Sequence, residues 1–132
     1  MAKENPADRR YSREHEWAKD NGDGTITTGI TDYAQEMLTD IVYVELPALG
    51  KKVRQGETIA VVESVKSVSD VYSPVSGEVI DVNGVLENKP ELINQDAFGE
   101  GWIAKVRMDD PGELKNLLDA AAYTSFLQEI GH

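Results

Sequence analysis

The chain has no cysteine, which removes disulfide frameworks, thiolate nucleophiles and thiolate metal ligands together. Histidine is nearly absent: His132 is the last residue, so a Ser-His-Asp relay would have to use His15. No apolar run approaches the ~18 residues that span a bilayer, so no membrane crossing is expected. Basic residues are also scarce, with 13 Lys and Arg against 24 Asp and Glu and a net charge of -11. A field of that sign repels phosphate backbones and favours basic partner surfaces, which argues against nucleic acid as a ligand. The first ten residues lack the apolar segment of a secretory signal and are too acidic and short for a transit peptide. A cytoplasmic protein is expected, or a mitochondrial one if a transit peptide has been trimmed.

With 132 residues the chain fits one domain, read as a flexible leader over residues 1–10 and a single domain over 11–132. Glu16 to Lys19 and Thr25 to Ile30 flank Asn21-Gly-Asp-Gly24, a strong hairpin signal because that cluster tolerates positive φ. Ala34, Met37 and Leu38 then fall at helical spacing behind the N-cap candidate Thr31, predicting a helix of about two turns that ends before Asp40. Ile41–Glu45, Thr58–Ser64, Val68–Tyr72, Glu78–Val82 and Trp102–Arg107 read as strands separated by Gly, Pro and Asn turns. The class is therefore mainly β, a sandwich or barrel. Asp110-Pro-Gly-Glu113 predicts an acidic capping box for a helix carrying Leu114, Leu117 and Leu118. Asp119 predicts the cap of a second helix with Tyr123, Phe126, Leu127 and Ile130 on its apolar face.

Candidate chemistry is thin. His15 lies between Glu14 and Glu16, a spacing that in a strand puts both carboxylates on one face and the imidazole on the other. It reads as a surface or edge-strand histidine. No histidine pair has ligand spacing, and Asn21-Gly-Asp-Gly24 lacks the downstream Glu of a calcium loop, so no metal site is expected. The unusual stretch is Thr58 to Tyr72, a β-prone run of 15 residues, far longer than the ~5 or 6 of an ordinary strand. It must fold back, and Lys66 marks the place: it is the only cation between Arg54 and Lys89, and an unpaired charge is not buried inside a sandwich. Val65-Lys66 offers no Gly or Asn for a primed turn. Taken alone, the pattern fits a solvated turn lysine.

Glu63-Ser-Val-Lys66, followed by Ser69-Asp-Val-Tyr-Ser-Pro-Val-Ser-Gly-Glu-Val79, resembles the lipoyl-lysine hairpin of glycine cleavage system H proteins. His15-Glu-Trp17, Gly29-Ile-Thr-Asp-Tyr-Ala-Gln35, Val44-Glu-Leu-Pro47, Pro90-Glu-Leu-Ile-Asn94 and Gly99-Glu-Gly-Trp102 resemble the family's other motifs in the same order. The resemblance runs from about Tyr11 to Leu127. It implies a barrel-sandwich hybrid, lipoyl-domain-like with two β-sheets, a short internal helix and C-terminal helices. Family members commonly have Gly where this chain has Thr39, which leaves the backbone after the helix open.

The resemblance further implies a carrier, itself no enzyme, with lipoate attached covalently to Lys66. The implied partners are glycine decarboxylase, aminomethyltransferase, dihydrolipoyl dehydrogenase and a lipoate-attaching enzyme, and a monomer is expected. Glu63 and Gly77 are candidates for positioning Lys66 before the attaching enzyme; the ordinary readings are a solvated strand carboxylate for Glu63 and a turn residue for Gly77, and for Gly77 the ordinary reading is favoured. Glu16 and Asp70, with Glu14 behind them, are candidates for receiving the cationic amine of a loaded arm. Two alternatives stay open here: a biotin or lipoyl carrier of another complex, and an unmodified paralogue in lipoate relay.

Overall fold

The computed structural model describes residues 4–130. Among the described residues, nine strands form two antiparallel sheets. Strands β1 (Arg10–Tyr11), β2 (Glu16–Asp20), β3 (Thr25–Ile30), β5 (Lys52–Val53), β8 (Gly77–Val82) and β9 (Ala104–Met108) make a six-stranded sheet in the order β1-β2-β3-β9-β8-β5. Strands β4 (Ile41–Glu45), β6 (Thr58–Ser64) and β7 (Val68–Tyr72) make a three-stranded sheet in the order β4-β6-β7. The expected sandwich is present, and the ranges of β4, β6 and β7 coincide with the sequence reading.

Alternation decides which side chains face inward. Ile26, Val53, Val79, Ala104 and Val106 of the larger sheet meet Ile41, Val44, Val62 and Val71 of the smaller one in a common core, all nearly solvent-free. A buried Val or Ile side chain contributes ~1.5–3 kcal/mol, so this layer supplies most of the drive to close the sandwich. Leu86 and Ile93 plug its end from a 3-10 turn (Gly84–Glu87) and the short helix α2 (Leu92–Gln95). Neither helical piece was expected, nor were the two-residue strands β1 and β5.

A second, aromatic cluster lies on the outer side of the larger sheet, where Tyr11, Trp17 and Tyr123 are buried with Phe98, Trp102 and Phe126 against them. Gly29 makes room for it: a Cβ there would lie 2.9 Å from the Trp17 ring. The Trp17 indole N–H donates to the carbonyls of Ile30 and Ala97. Helix α3 (Ala120–Ile130) starts at the expected cap, with the Ala122 N–H on the Asp119 carboxylate at 2.8 Å. Its Tyr123, Phe126 and Leu127 pack inward, but Ile130 is 44% exposed at the end of the helix.

The capping box at Asp110 does not form. Asp110 does cap its segment by accepting from the Gly112 N–H, yet only a 3-10 turn (Pro111–Asn116) follows. Glu113, instead of returning to the cap, accepts from the backbone N–H and hydroxyl of Ser76 at 2.7 and 2.8 Å. Two charge-assisted bonds to the β7–β8 turn outweigh one local bond at an exposed helix start.

The leader is tied down in its described part. Asn5 bonds Thr124, the Tyr11 hydroxyl donates to the Pro6 carbonyl, and Arg9 donates to the Phe98 carbonyl while lying 4.7 Å over the Trp17 ring.

Candidate functional site

The β6–β7 hairpin turns at Val65-Lys66-Ser67, with Glu63 opposite Val68. The tip needs no primed turn because Ser64 supplies the missing chemistry. Its hydroxyl accepts from the N–H of Lys66 at 3.2 Å and of Ser67 at 3.0 Å, while its own N–H donates to the Ser67 carbonyl at 2.8 Å. Serine closing a turn on its own backbone replaces the glycine that a two-residue hairpin usually demands. The Val65 N–H donates to the Asp40 carbonyl, fastening the tip to the start of β4.

Lys66 is exposed and, among the described residues, enters no ion pair. Its ammonium donates to the Met37 carbonyl at 3.1 Å. Met37 belongs to the last turn of helix α1 (Asp32–Leu38), whose last turn has no basic residue, so Lys66 meets the negative end of that helix. Helix α1 begins as expected, with the Thr31 hydroxyl accepting from the Ala34 N–H. It ends at Thr39, where φ is 65° and ψ is -148°, a region that is essentially reserved for glycine.

Glu16 departs from the sequence reading. It is 2% exposed rather than a surface acid, and burial pushes its carboxyl up to about 8 against the opposing bonds from the Ser12 hydroxyl and the Tyr72 N–H. The cause lies one residue earlier: His15 has φ of 72° and stands outside the strand, so Glu14 and Glu16 do not share a face. Glu14 is exposed and Glu16 turns inward. His15 is therefore no edge-strand residue. Its ring packs against Tyr33, Tyr123 and Phe126, its Nδ1 is 2.7 Å from the Tyr123 hydroxyl, and burial lowers its pKa. Tyr123 in turn bonds Thr31, so one chain of contacts joins His15, α3 and the cap of α1.

A cleft of about 300 Å³ is lined by Glu14, Gly56 and Tyr72, and Tyr72 is the residue whose N–H holds Glu16. Lys66 and this cleft lie at opposite ends of β7. Six residues at ~3.3 Å each separate Lys66 from Tyr72, about 20 Å. Asp70 lies between them, exposed on β7. Of the three acids, Glu14 lines the cleft, Glu16 is buried against the Tyr72 backbone, and Asp70 is exposed two residues before Tyr72. Glu63 is half-buried on β6 beside Val68 and Tyr43. Gly77 is elsewhere: it is buried where β8 meets β5 and β9, and a Cβ would lie 2.0 Å from the Arg107 carbonyl oxygen. Close strand approach accounts for that glycine. Ser64 and Ser12 were missed in the sequence; only Ser64, at the break of an overlong β run, carried a readable signal.

Residues 9–130 match the family described as Glycine cleavage H-protein. The chain belongs to the glycine cleavage H-protein family. It is 55% identical over 123 residues to the glycine cleavage system H protein of Thermus thermophilus, covering 93% of this chain and 95% of that one. Its identity to the namesake of Symbiobacterium thermophilum is 56% over 124 residues, covering 94% and 96%. A crystal structure of the H protein from Mycobacterium marinum superposes with a TM-score of 0.83 at 35% identity, covering 97% of this chain and all of that one. The two-sheet architecture is thus that of the H-protein family. Among the described residues, no helix is long and apolar enough to cross a membrane and no group of acidic or histidine side chains could hold a metal ion.

Proposed function

We propose that this protein is the lipoate-bearing carrier of a glycine cleavage system and that the lipoyl group is joined by an amide to Nζ of Lys66. The observation that carries the assignment is the placement of Lys66: an exposed amine at the tip of a turn whose backbone is already hydrogen-bonded, so that acylation disturbs no packing. The residues present fit the group. When bound, it supplies a redox-active dithiolane suited to taking an aminomethyl unit from a pyridoxal-phosphate glycine decarboxylase, yielding it to a tetrahydrofolate-dependent aminomethyltransferase, and being reoxidised by dihydrolipoyl dehydrogenase.

The chain's own part is to hold and present. Lys66 tethers the arm to a folded body, which raises its effective concentration at a docked active site. Loss of the lysine cation makes the net charge one unit more negative than -11, favouring basic partners further. The cleft beside Tyr72, with Glu14 on its wall, is the candidate shelter for a cationic end group, and Glu16 behind the Tyr72 backbone and Asp70 along β7 are the candidate carboxylates near it. Burial raises the Glu16 carboxyl far enough, against its bonds from Ser12 and Tyr72, that it holds a proton near neutral pH. A cation beside it favours the ionised form, so the proton leaves as the amine settles.

Replacing Lys66 by Arg is expected to keep stability within about 0.5 kcal/mol of the parent, as for other exposed positions, and to abolish the mass increment of lipoylation and all carrier function. An Arg variant that still supports glycine cleavage with the three partner enzymes overturns the assignment. For the shelter, Glu16→Gln and Asp70→Asn carriers loaded with the aminomethyl group are expected to release ammonia and formaldehyde faster than the parent in the absence of the transferase. Unchanged decay removes both residues from that role.

A further inference from the structure

In a chain with 24 acidic and 13 basic side chains, one cavity runs against the average. It lies on the outer face of the larger sheet, has a volume of about 270 Å³, and takes Lys19 and Lys105 but no aspartate or glutamate into its wall. The clefts beside Tyr72 and Pro47 carry Glu14 and Glu45, and so share the sign of the chain. Register explains the pair of cations. Lys19 stands opposite Thr27 and Thr27 opposite Lys105, so the three form one row across β2, β3 and β9. Side chains in such a row share a face, with neighbouring Cβ atoms ~4.5–5.5 Å apart, which places Thr27 between two ammonium-bearing stems. The rest of the wall is largely aromatic: Trp17 precedes Lys19 by two residues on the same strand, and Phe98 and Trp102 come from the turns after α2.

Neither cation is neutralised from within. Lys105 is half-buried, enters no ion pair among the described residues, and holds its ammonium 5.6 Å from the Trp102 ring centre. Asp81, opposite Lys105 on β8, turns its carboxylate to the Val82 N–H instead. Lys19 meets Asp8 only at 3.8 Å, and both side chains are exposed, so that pair is worth little. The Thr27 hydroxyl accepts from the Asn21 amide at 3.1 Å, while its own O–H has only a long contact of 3.4 Å to the Asn21 carbonyl. Two ammoniums and a hydroxyl thus face a cavity with aromatic walls. We propose that this cavity binds a small aromatic carboxylate, whose carboxylate bridges Lys19 and Lys105 and accepts from Thr27 while its ring lies against Phe98 and Trp102. Size sets the class, because ligand sites begin near ~300 Å³ and a cavity at that limit takes a single ring, not a peptide. A bare inorganic anion would satisfy the ammoniums but leave the aromatic wall in water. Lys66 belongs to the smaller sheet, so the site stands or falls independently of the role of that lysine.

The test uses the two tryptophans of the chain, both of which line the cavity. Titration of the full-length protein with benzoate is expected to give a saturable change in their emission, after correction for absorption by the ligand. Acetate, inorganic phosphate and uncharged benzyl alcohol are expected to bind at least about tenfold more weakly, and cyclohexanecarboxylate about threefold more weakly. Lys19→Met and Lys105→Met are each expected to weaken benzoate binding about tenfold. Lys51→Met, an exposed lysine outside the cavity, is expected to stay within about twofold of the parent, since a remote surface charge is screened. Melting curves matching the parent establish that the variants fold. A response that does not saturate, or equal affinity in the Lys19, Lys105 and Lys51 variants, overturns the site. Acetate, phosphate or cyclohexanecarboxylate binding as tightly as benzoate overturns the aromatic class, and benzyl alcohol binding as tightly overturns the role of the two cations.

Discussion

Replacing Thr39 by Gly is expected to stabilise the protein. The residue follows α1 with φ of 65° and ψ of -148°, and holding a β-branched residue there costs about 1–3 kcal/mol. Little opposes its removal. Thr39 is exposed, and its hydroxyl donates only to the neighbouring Leu38 carbonyl. The bonds that matter are made by its backbone, whose N–H caps the helix on the Gln35 carbonyl and whose carbonyl accepts from Asn94. Glycine keeps both. Against the relief stands the greater entropy of glycine in the unfolded chain, ~0.5–1 kcal/mol, which leaves a net gain of up to about 2.5 kcal/mol, centred on ~1 kcal/mol. Urea unfolding is the assay: the midpoint rises while the slope stays constant. Thr39→Ala retains a Cβ and is the control, expected within about 0.5 kcal/mol of the parent. If Gly and Ala variants melt alike, the backbone at Thr39 stores no strain and the reasoning fails.

The other expectations concern two buried positions. Burial pushes the Glu16 carboxyl up to about 8 from an ordinary 4.5. The native state therefore binds a proton that the unfolded chain has released, and stability falls as pH rises through that window. At ~1.4 kcal/mol per unit the loss amounts to several kcal/mol. Glu16→Gln has no such titration, so it gains on the parent between pH 5 and 8.5 in urea titrations; parallel pH profiles count against the shift. Gly77→Ala is expected to destabilise by about 3 kcal/mol or more, because its Cβ meets the Arg107 carbonyl oxygen at 2.0 Å and β9 has to move away. A thermal midpoint unchanged from the parent's argues against that contact.

The sheets were legible because their signal is local. Alternating β-branched residues between turn formers defined β4, β6 and β7 to the residue, and the lone cation marked the fold-back between the last two. What escaped depended on distance. Strands β1 and β5 have two residues each, too few to show a period, and their pairing with Ala18, Trp17, Glu78 and Gly77 is tertiary. Glu113 carried the local signature of a capping box, but a serine 37 residues earlier gave its carboxylate two better donors. At the candidate site, Lys66 was marked by charge, whereas the burial of Glu16 turned on a single dihedral. Period-two reasoning across residues 14–16 assumes a strand, and the left-handed backbone of His15 breaks that assumption.

The turn at Ser64 has a mechanical consequence. Four hydrogen bonds fix the backbone from Ser64 to Ser67, one of them to Asp40 outside the hairpin. Lys66 is thus mounted on a pivot, not on a flapping loop. Whatever its side chain bears sweeps out a volume set by side-chain torsions alone, centred on a point fixed in the body of the protein. A docked partner that finds the body has already found that centre, and its search is reduced from locating a tether to waiting on bond rotations, which exposed side chains complete in picoseconds to nanoseconds.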